Sequence, residues 1–255
     1  MTPRPQIDIR RLTSPDQFRC AVELQKTIWA FDDVDLLPLR FFIVVSKIGG
    51  QAFGAYDGDR MVAFCIAIPG IKRNSGTYLH SHMMGVLPEY RDLGIGRMLK
   101  LRQREDALTN GVRLIEWTFD PLELKNAYFN IERLGCIVRR YVRNQYGISS
   151  SRLHAGLPTD RCTAEWWLDT DWVKAALERR DRNRPPAVAR IPIPSDIDRL
   201  KREDPHAARA VQAEVSAQFL THFEKGLAVV GFEKSEASGT YLFGNWKLPD
   251  ENRSN

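Results

Sequence analysis

The segment VLPEYRDLGIGRMLK, residues 86–100, sets two glycines one residue apart between a stretch that reads as a strand and one that reads as a helix. Glycine at a helix start costs roughly 1 kcal/mol against alanine. Gly94 and Gly96 therefore mark a place where the backbone must turn and stay bare. Arg91 precedes the pair and Arg97 follows it. Successive amides at a helix amino terminus, with the helix dipole behind them, can wrap a pyrophosphate. Glycines keep side chains out of the space it needs. Two other phosphate loops fail on named residues. A Walker loop requires G-K-[ST], where this chain has Gly96-Arg97-Met98. A dinucleotide fingerprint requires a third glycine where Leu99 stands, and an early βαβ strand that the preceding hairpin does not supply. A tight turn with close helix packing is the plain alternative to a phosphate cradle.

The rest of the chain is patterned as an α/β fold. Ile7–Leu12 alternates as a half-buried strand, and Asp16–Trp29 repeats apolar residues at helical spacing. Leu36–Ile48 reads as a second helix stopped at Gly49-Gly50. Residues 51–68 read as a hairpin turning at Asp57-Gly58, and Thr77–Val86 as the strand feeding the glycine turn. The helix after the turn runs to about Thr109, where Asn110-Gly111 stops it. Arg113–Asp120 is the next strand. Asp120, Pro121 and Glu123 then give a capping-box start to a helix ending at Gly135. Strands over Cys136–Tyr146 and Cys162–Leu168 follow. Residues 178–196 are rich in charge and proline and read as a connector. A helix from Asp204-Pro205 to Gly226 and a closing hairpin end the pattern. The expected organisation is one domain over 1–170, a connector over 171–196 and a small α+β extension over 197–255.

Composition narrows the ligand classes. The chain has 255 residues, 43% hydrophobic and 27% charged, with a net charge of +5, which suits an anionic ligand. No long single-sign run or basic arm marks a nucleic-acid footprint. No run approaches the ~18 apolar residues of a membrane span, and residues 1–5 lead into no apolar signal core. The expectation is a cytoplasmic protein with no nucleic-acid or membrane partner. Cys20, Cys65, Cys136 and Cys162 are widely separated and form no C-x-x-C pair, so neither a disulfide framework nor a zinc site is expected.

With these readings in place, segment 86–100 resembles the acyl-coenzyme-A binding motif of the GNAT acyltransferase superfamily, V-x-P-x-x-[RQ]-x-x-G-x-G-[RK] at a strand-to-helix junction. The likeness extends over roughly residues 7–170 through the order of elements, and ERLGC at 132–136 stands where the superfamily often has EKLGF. It implies the GNAT fold, a mixed and mostly antiparallel central sheet flanked by helices, here with a small α+β extension. The tail is similar to that of a bacterial group of GNAT-like proteins with an extra carboxy-terminal segment. The resemblance places the pyrophosphate of acetyl-CoA or another acyl-CoA on the amides of Leu93, Gly94, Ile95, Gly96 and Arg97, with Arg91 adding charge. It places a carbonyl-polarising backbone N–H near Val86.

Acyl transfer to an amine needs a neutral nucleophile, a donor for the carbonyl oxygen and a proton for the departing thiolate. His80 and His82 lie two apart and so share one strand face. Arylalkylamine N-acetyltransferases carry two histidines at corresponding distances and use them to draw the amine proton through water. Residues so placed can equally be polar members of a sheet face, satisfied by backbone or water. As a metal pair they lack a third ligand at sensible spacing. The tyrosine that many family members use to protonate the thiolate falls here on Ile131. Tyr128, three residues earlier, reads either as its substitute or as a core aromatic. Asn126 and Asn130 are candidate contacts to pantetheine or substrate, although the family asparagine is expected nearer Leu124. The resemblance thus implies an N-acyltransferase acting on the amine of a small molecule or amino acid by direct attack in a ternary complex. Ile131 and the tail leave open a noncatalytic acyl-CoA-binding or interaction module. The acceptor pocket is expected from residues 29–42, the loop before Thr77 and the segment 146–162; homodimerisation is left open.

Overall fold

Ser14 opens the first helix through a reciprocal cap. In the computed structural model, which describes residues 5–72, 76–147 and 157–247, β1 (Ile7–Arg11) leads into α1 (Pro15–Trp29). The Ser14 hydroxyl accepts from the Gln17 N–H while the Gln17 side chain accepts from the Ser14 N–H, and Pro15 occupies the first turn. Ser14→Ala should cost about 1 kcal/mol of stability, read as a lowered denaturant midpoint at unchanged slope. The second helix, α2 (Leu39–Lys47), is shorter than its apolar pattern suggests. Pro38 disfavours helical backbone at Leu37, and Asp33–Asp35 form a separate 3₁₀ turn.

The described residues form two compact units that divide between Ile115 and Glu116. In the first, β1 is joined by β2 (Gln51–Asp57), β3 (Arg60–Lys72) and β4 (Gly76–Val86) in the antiparallel order β1-β2-β3-β4. Every residue of β3 from Met61 to Ala67 is buried, so both faces of the sheet are covered. The cover comes from α1 and α2 together with α3 (Ile95–Thr109). Phe18, Phe42 and Phe64 are wholly buried, Phe42 lying 6.1 Å from each of the other two rings.

The second unit takes up the chain within β5 (Leu114–Phe119) and continues through α4 (Leu124–Tyr128), β6 (Ile137–Val142), β7 (Arg161–Trp167) and α5 (Asp171–Leu177). It is completed by β8 (Ala189–Pro194), α6 (Ile197–Glu203), α7 (Pro205–Glu224), β9 (Ala228–Lys234) and β10 (Ser238–Gly244). Its strand order is β5-β7-β6-β9-β10-β8, with β6–β7, β6–β9, β9–β10 and β10–β8 antiparallel. Phe219 of α7 anchors this core, 4.9 Å from the Tyr241 ring and 5.2 Å from those of Tyr141 and Phe243. The class is the expected one: α/β, with a mixed and mostly antiparallel sheet flanked by helices.

Three local features differ from the sequence pattern. The segment read as connector contains β8, where Ile191 and Ile193 are buried and Pro192 and Pro194 alternate with them. Proline is tolerated there because β8 is an edge strand. The Asp120 carboxylate accepts from Leu122 N–H at 2.8 Å but α4 begins only at Leu124, and Glu123 turns to Lys201 at 3.2 Å instead of closing a capping box. Finally, Phe129–Arg133 form a π turn, with Leu134 N–H donating to the Phe129 carbonyl at 3.0 Å. The helix expected to run unbroken to Gly135 therefore changes phase midway.

Candidate active site

The two glycines of the turn are bare for different reasons. Gly94 has φ +81 and caps α3, its carbonyl accepting from Met98 N–H at 3.1 Å. Asp92, two residues earlier, is also left-handed at φ +62. Gly94 is thus required by the backbone. A Cβ on Gly96 would meet only Met84 Cε, at an ordinary 3.5 Å, and one on Gly94 would meet nothing within 4 Å. Close packing of α3 is therefore not what excludes side chains here. The first amides of α3 have no carbonyl four residues back within the helix, and they open onto this bare turn with the positive end of the dipole. Exposed Arg91 donates through Nε to the Val86 carbonyl at 3.4 Å, which sets its guanidinium between the strand end and the turn. Leu87 N–H to Val62 O (2.9 Å) and Tyr90 hydroxyl to Asp57 (2.8 Å) brace the approach. A cradle of helix-start amides, missing Cβ atoms and a flanking guanidinium fits a pyrophosphate-bearing co-substrate.

Upstream on β4, Ala67 pairs with Ser81 while Ile66 pairs with Met83, so His82 is the extra residue of a bulge. Bulges re-aim side chains, and this one leaves the His80 and His82 rings 6.0 Å apart. Phe41 of α2 lies 6.2 Å from His82. His82 keeps solvent contact, yet the surrounding protein desolvates its imidazolium and lowers its pKa from 6.5. Ser81 between them is buried and points to α3, where its hydroxyl accepts from Lys100 Nζ at 2.8 Å and contacts Gln103 Oε1 at 3.1 Å. Sequence reasoning missed this buried polar chain behind the histidines, although a serine alternating with two histidines was the available signal. Gly85 was missed too: a Cβ there would lie 2.5 Å from the Trp29 ring, so the glycine lets α1 set Trp29 against β4. Trp29 stacks on Phe31 at 5.5 Å. Of the expected acceptor surroundings, residues 73–75 and 148–156 lie outside the described residues.

The remaining candidates belong to the second unit. Asn126 is exposed on α4. Asn130 is buried and accepts from Trp117 Nε1 at 3.3 Å. The Tyr128 ring carries Lys234 Nζ 4.1 Å from its centroid and lines a cleft beside the chain leaving α5. Ile131 is wholly buried. Among the described residues no group of three His, Cys, Asp or Glu could hold a metal ion, and no helix is long and apolar enough to cross a membrane.

Comparisons with known proteins converge on one family. Residues 15–135 match the model of the acetyltransferase (GNAT) family. No curated protein matches the chain in sequence. Similar solved structures include the ribosomal-protein-S18-alanine N-acetyltransferase from Escherichia coli, 17% identical, covering 65% of this chain and 96% of that one with a TM-score of 0.51. Arabidopsis thaliana NAA60 in complex with acetyl-CoA is 16% identical, covering 65% and 100% at 0.53. Salmonella typhimurium yncA, a putative acetyltransferase with its cofactor acetyl-CoA, is 15% identical, covering 65% and 95% at 0.51. Residues 15–135 are thus similar to the acetyltransferase (GNAT) family, and the fold is the one these solved acetyltransferases share.

Proposed function

We propose that the protein transfers an acetyl or related acyl group from acyl-CoA to the amine of a small molecule or amino acid, by direct attack in a ternary complex. The observation that carries this reading is the bare turn at Gly94 and Gly96, opening onto the first amides of α3 inside the segment that matches the GNAT family. The amides of Leu93 to Arg97 hold the pyrophosphate and Arg91 adds charge. His80 and His82, through water, take the proton that the amine must shed. His82 suits the task, because a lowered pKa keeps its imidazole neutral near pH 7. The backbone beside Val86 polarises the thioester carbonyl. The new C–N bond forms as the C–S bond breaks, and the thiolate takes its proton from solvent. A thiol is acidic enough to leave without a dedicated acid, so Tyr128, engaged by Lys234, has no assigned part. The cytoplasm, where acyl-CoA is supplied, is the compartment this reading favours.

A peptide amine is the competing acceptor class, because one similar structure is a ribosomal-protein-S18-alanine N-acetyltransferase and another is the NatC complex bound to Gag peptide and CoA. Ile131 in the acid position supports the further reading of a binding-only module. Thiol release from acetyl-CoA, measured against small amines, amino acids and peptides, separates the three. Sustained release with a small amine or amino acid is expected. Release with peptides alone would transfer the acceptor class, and coenzyme A binding without release from any amine would leave the binding-only reading.

A further inference from the structure

The second unit contains a cleft of 480 Å³ where the chain leaving α5 passes the end of α4, within the roughly 300–1,000 Å³ of small-molecule sites. Five arginines line it: Arg133, Arg179, Arg180, Arg182 and Arg184. Among the described residues, negative charge on its wall comes from Glu132 and Asp181, and Arg180 pairs with Glu178 at 2.5 Å, which leaves a surplus of two positive charges.

Glu132 cannot balance the guanidiniums that touch it. Both of its oxygens accept from Arg184 at 2.8 Å, it also pairs with Arg182, and one oxygen accepts from Phe232 N–H at 2.7 Å. The Arg182 side chain is only 6% exposed and that of Arg184 28%. One carboxylate shared by two such cations leaves positive charge where water screens it poorly. Burial, with Arg184 adding to it, pulls Arg182 below the usual guanidinium range even against Glu132. Arg182 is also held in place, donating to the Ile131 carbonyl at 2.7 Å and standing 4.7 Å from the Trp172 ring centroid. Arg133 and Arg179 have no carboxylate partner among the described residues. The chain reaches this arrangement through two left-handed non-glycine residues, Arg179 at φ +58 and Asn183 at φ +50, a conformation such residues rarely take.

We propose that this cleft is a second binding site, for a small molecule bearing a multiply charged phosphate group, separate from the turn at Gly94. Fixed guanidinium forks match phosphate oxygens in pairs, and a cleft of this volume with the Tyr128 ring in its wall suits a small ligand rather than a polymer. The acyl-transfer steps proposed above assign no part to these arginines.

The test is calorimetric titration of sodium tripolyphosphate into the full chain, with and without saturating coenzyme A, at ionic strength matched with chloride. With coenzyme A filling the turn, wild type is expected to show one tripolyphosphate site, and Gly96→Leu, whose substitution lies in the turn, keeps it. Arg133→Gln/Arg179→Gln should bind at least about tenfold more weakly while its melting temperature in chloride and its coenzyme A affinity stay unchanged. If that double variant melts early, Arg179→Gln alone decides, since Arg179 is exposed. No heat beyond the chloride control, loss of the site on adding coenzyme A, equal binding by the arginine variant, or equal binding of citrate would each overturn the proposal. A chain that binds no coenzyme A would contradict the acyl-transfer reading, and the titration would then read the cleft without it.

Discussion

Replacing His80 and His82 together with glutamine is expected to lower turnover about 10²-fold or more while leaving coenzyme A affinity unchanged. The two effects separate because the pyrophosphate cradle is built from backbone beyond Arg91, whereas the histidines stand upstream at the β4 bulge. Glutamine keeps a polar side chain on that strand face and cannot accept the amine proton. The pH dependence distinguishes chemistry from damage. With its pKa below 6.5, His82 is neutral and competent near pH 7, and wild-type activity should fall as pH drops through that lowered pKa. The double variant should lose this acidic limb. Its deficit should shrink as pH rises and the amine deprotonates unaided. A mispacked variant would instead lose affinity and turnover together at every pH. Near-normal turnover at neutral pH would make the histidines structural and send the search for the base elsewhere.

Gly96→Leu is expected to weaken coenzyme A binding about 10²-fold without destabilising the fold. A Cβ at Gly96 meets only Met84 Cε at 3.5 Å, and leucine is the better helix former by several tenths of a kcal/mol. On folding grounds alone the substitution should be neutral or stabilising. The cost falls on whatever lies against the amides of the turn. Losing about two charge-assisted hydrogen bonds there corresponds to roughly 3 kcal/mol, or about two decades of affinity. A melting temperature that holds or rises while affinity collapses is a combination that only a ligand-occupied turn produces. Thermal melts with and without coenzyme A measure both halves in one experiment.

Local patterns were the legible part of this fold. The Gly94 turn, the Asp57-Gly58 hairpin, the stop of α3 at Asn110 and the pairing of His80 with His82 each depend on residues a few positions apart, and the structure contains all four. Long-range contacts decided the rest. Glu123 looked like a capping residue until Lys201, far along the chain, claimed it. Arginines and prolines made 178–196 read as a connector, because β8 becomes a strand only with β10 beside it. Counting back from Gly135 to find a catalytic acid presumed a regular helix. The π turn over Phe129–Arg133 breaks that period, and Tyr128 stands instead against Lys234 and the arginine-lined cleft. Lys100, a charged residue of α3, is buried on Ser81 behind the histidines, another contact between residues far apart in the chain.

The central claim is that the turn at Gly94 and Gly96 is a coenzyme A site, and calorimetric titration of coenzyme A into wild type and Gly96→Leu tests it most directly. One site per chain with micromolar affinity is expected, weakened about 10²-fold by the substitution. No heat of binding at high micromolar coenzyme A, or equal affinity in the two proteins, would contradict it.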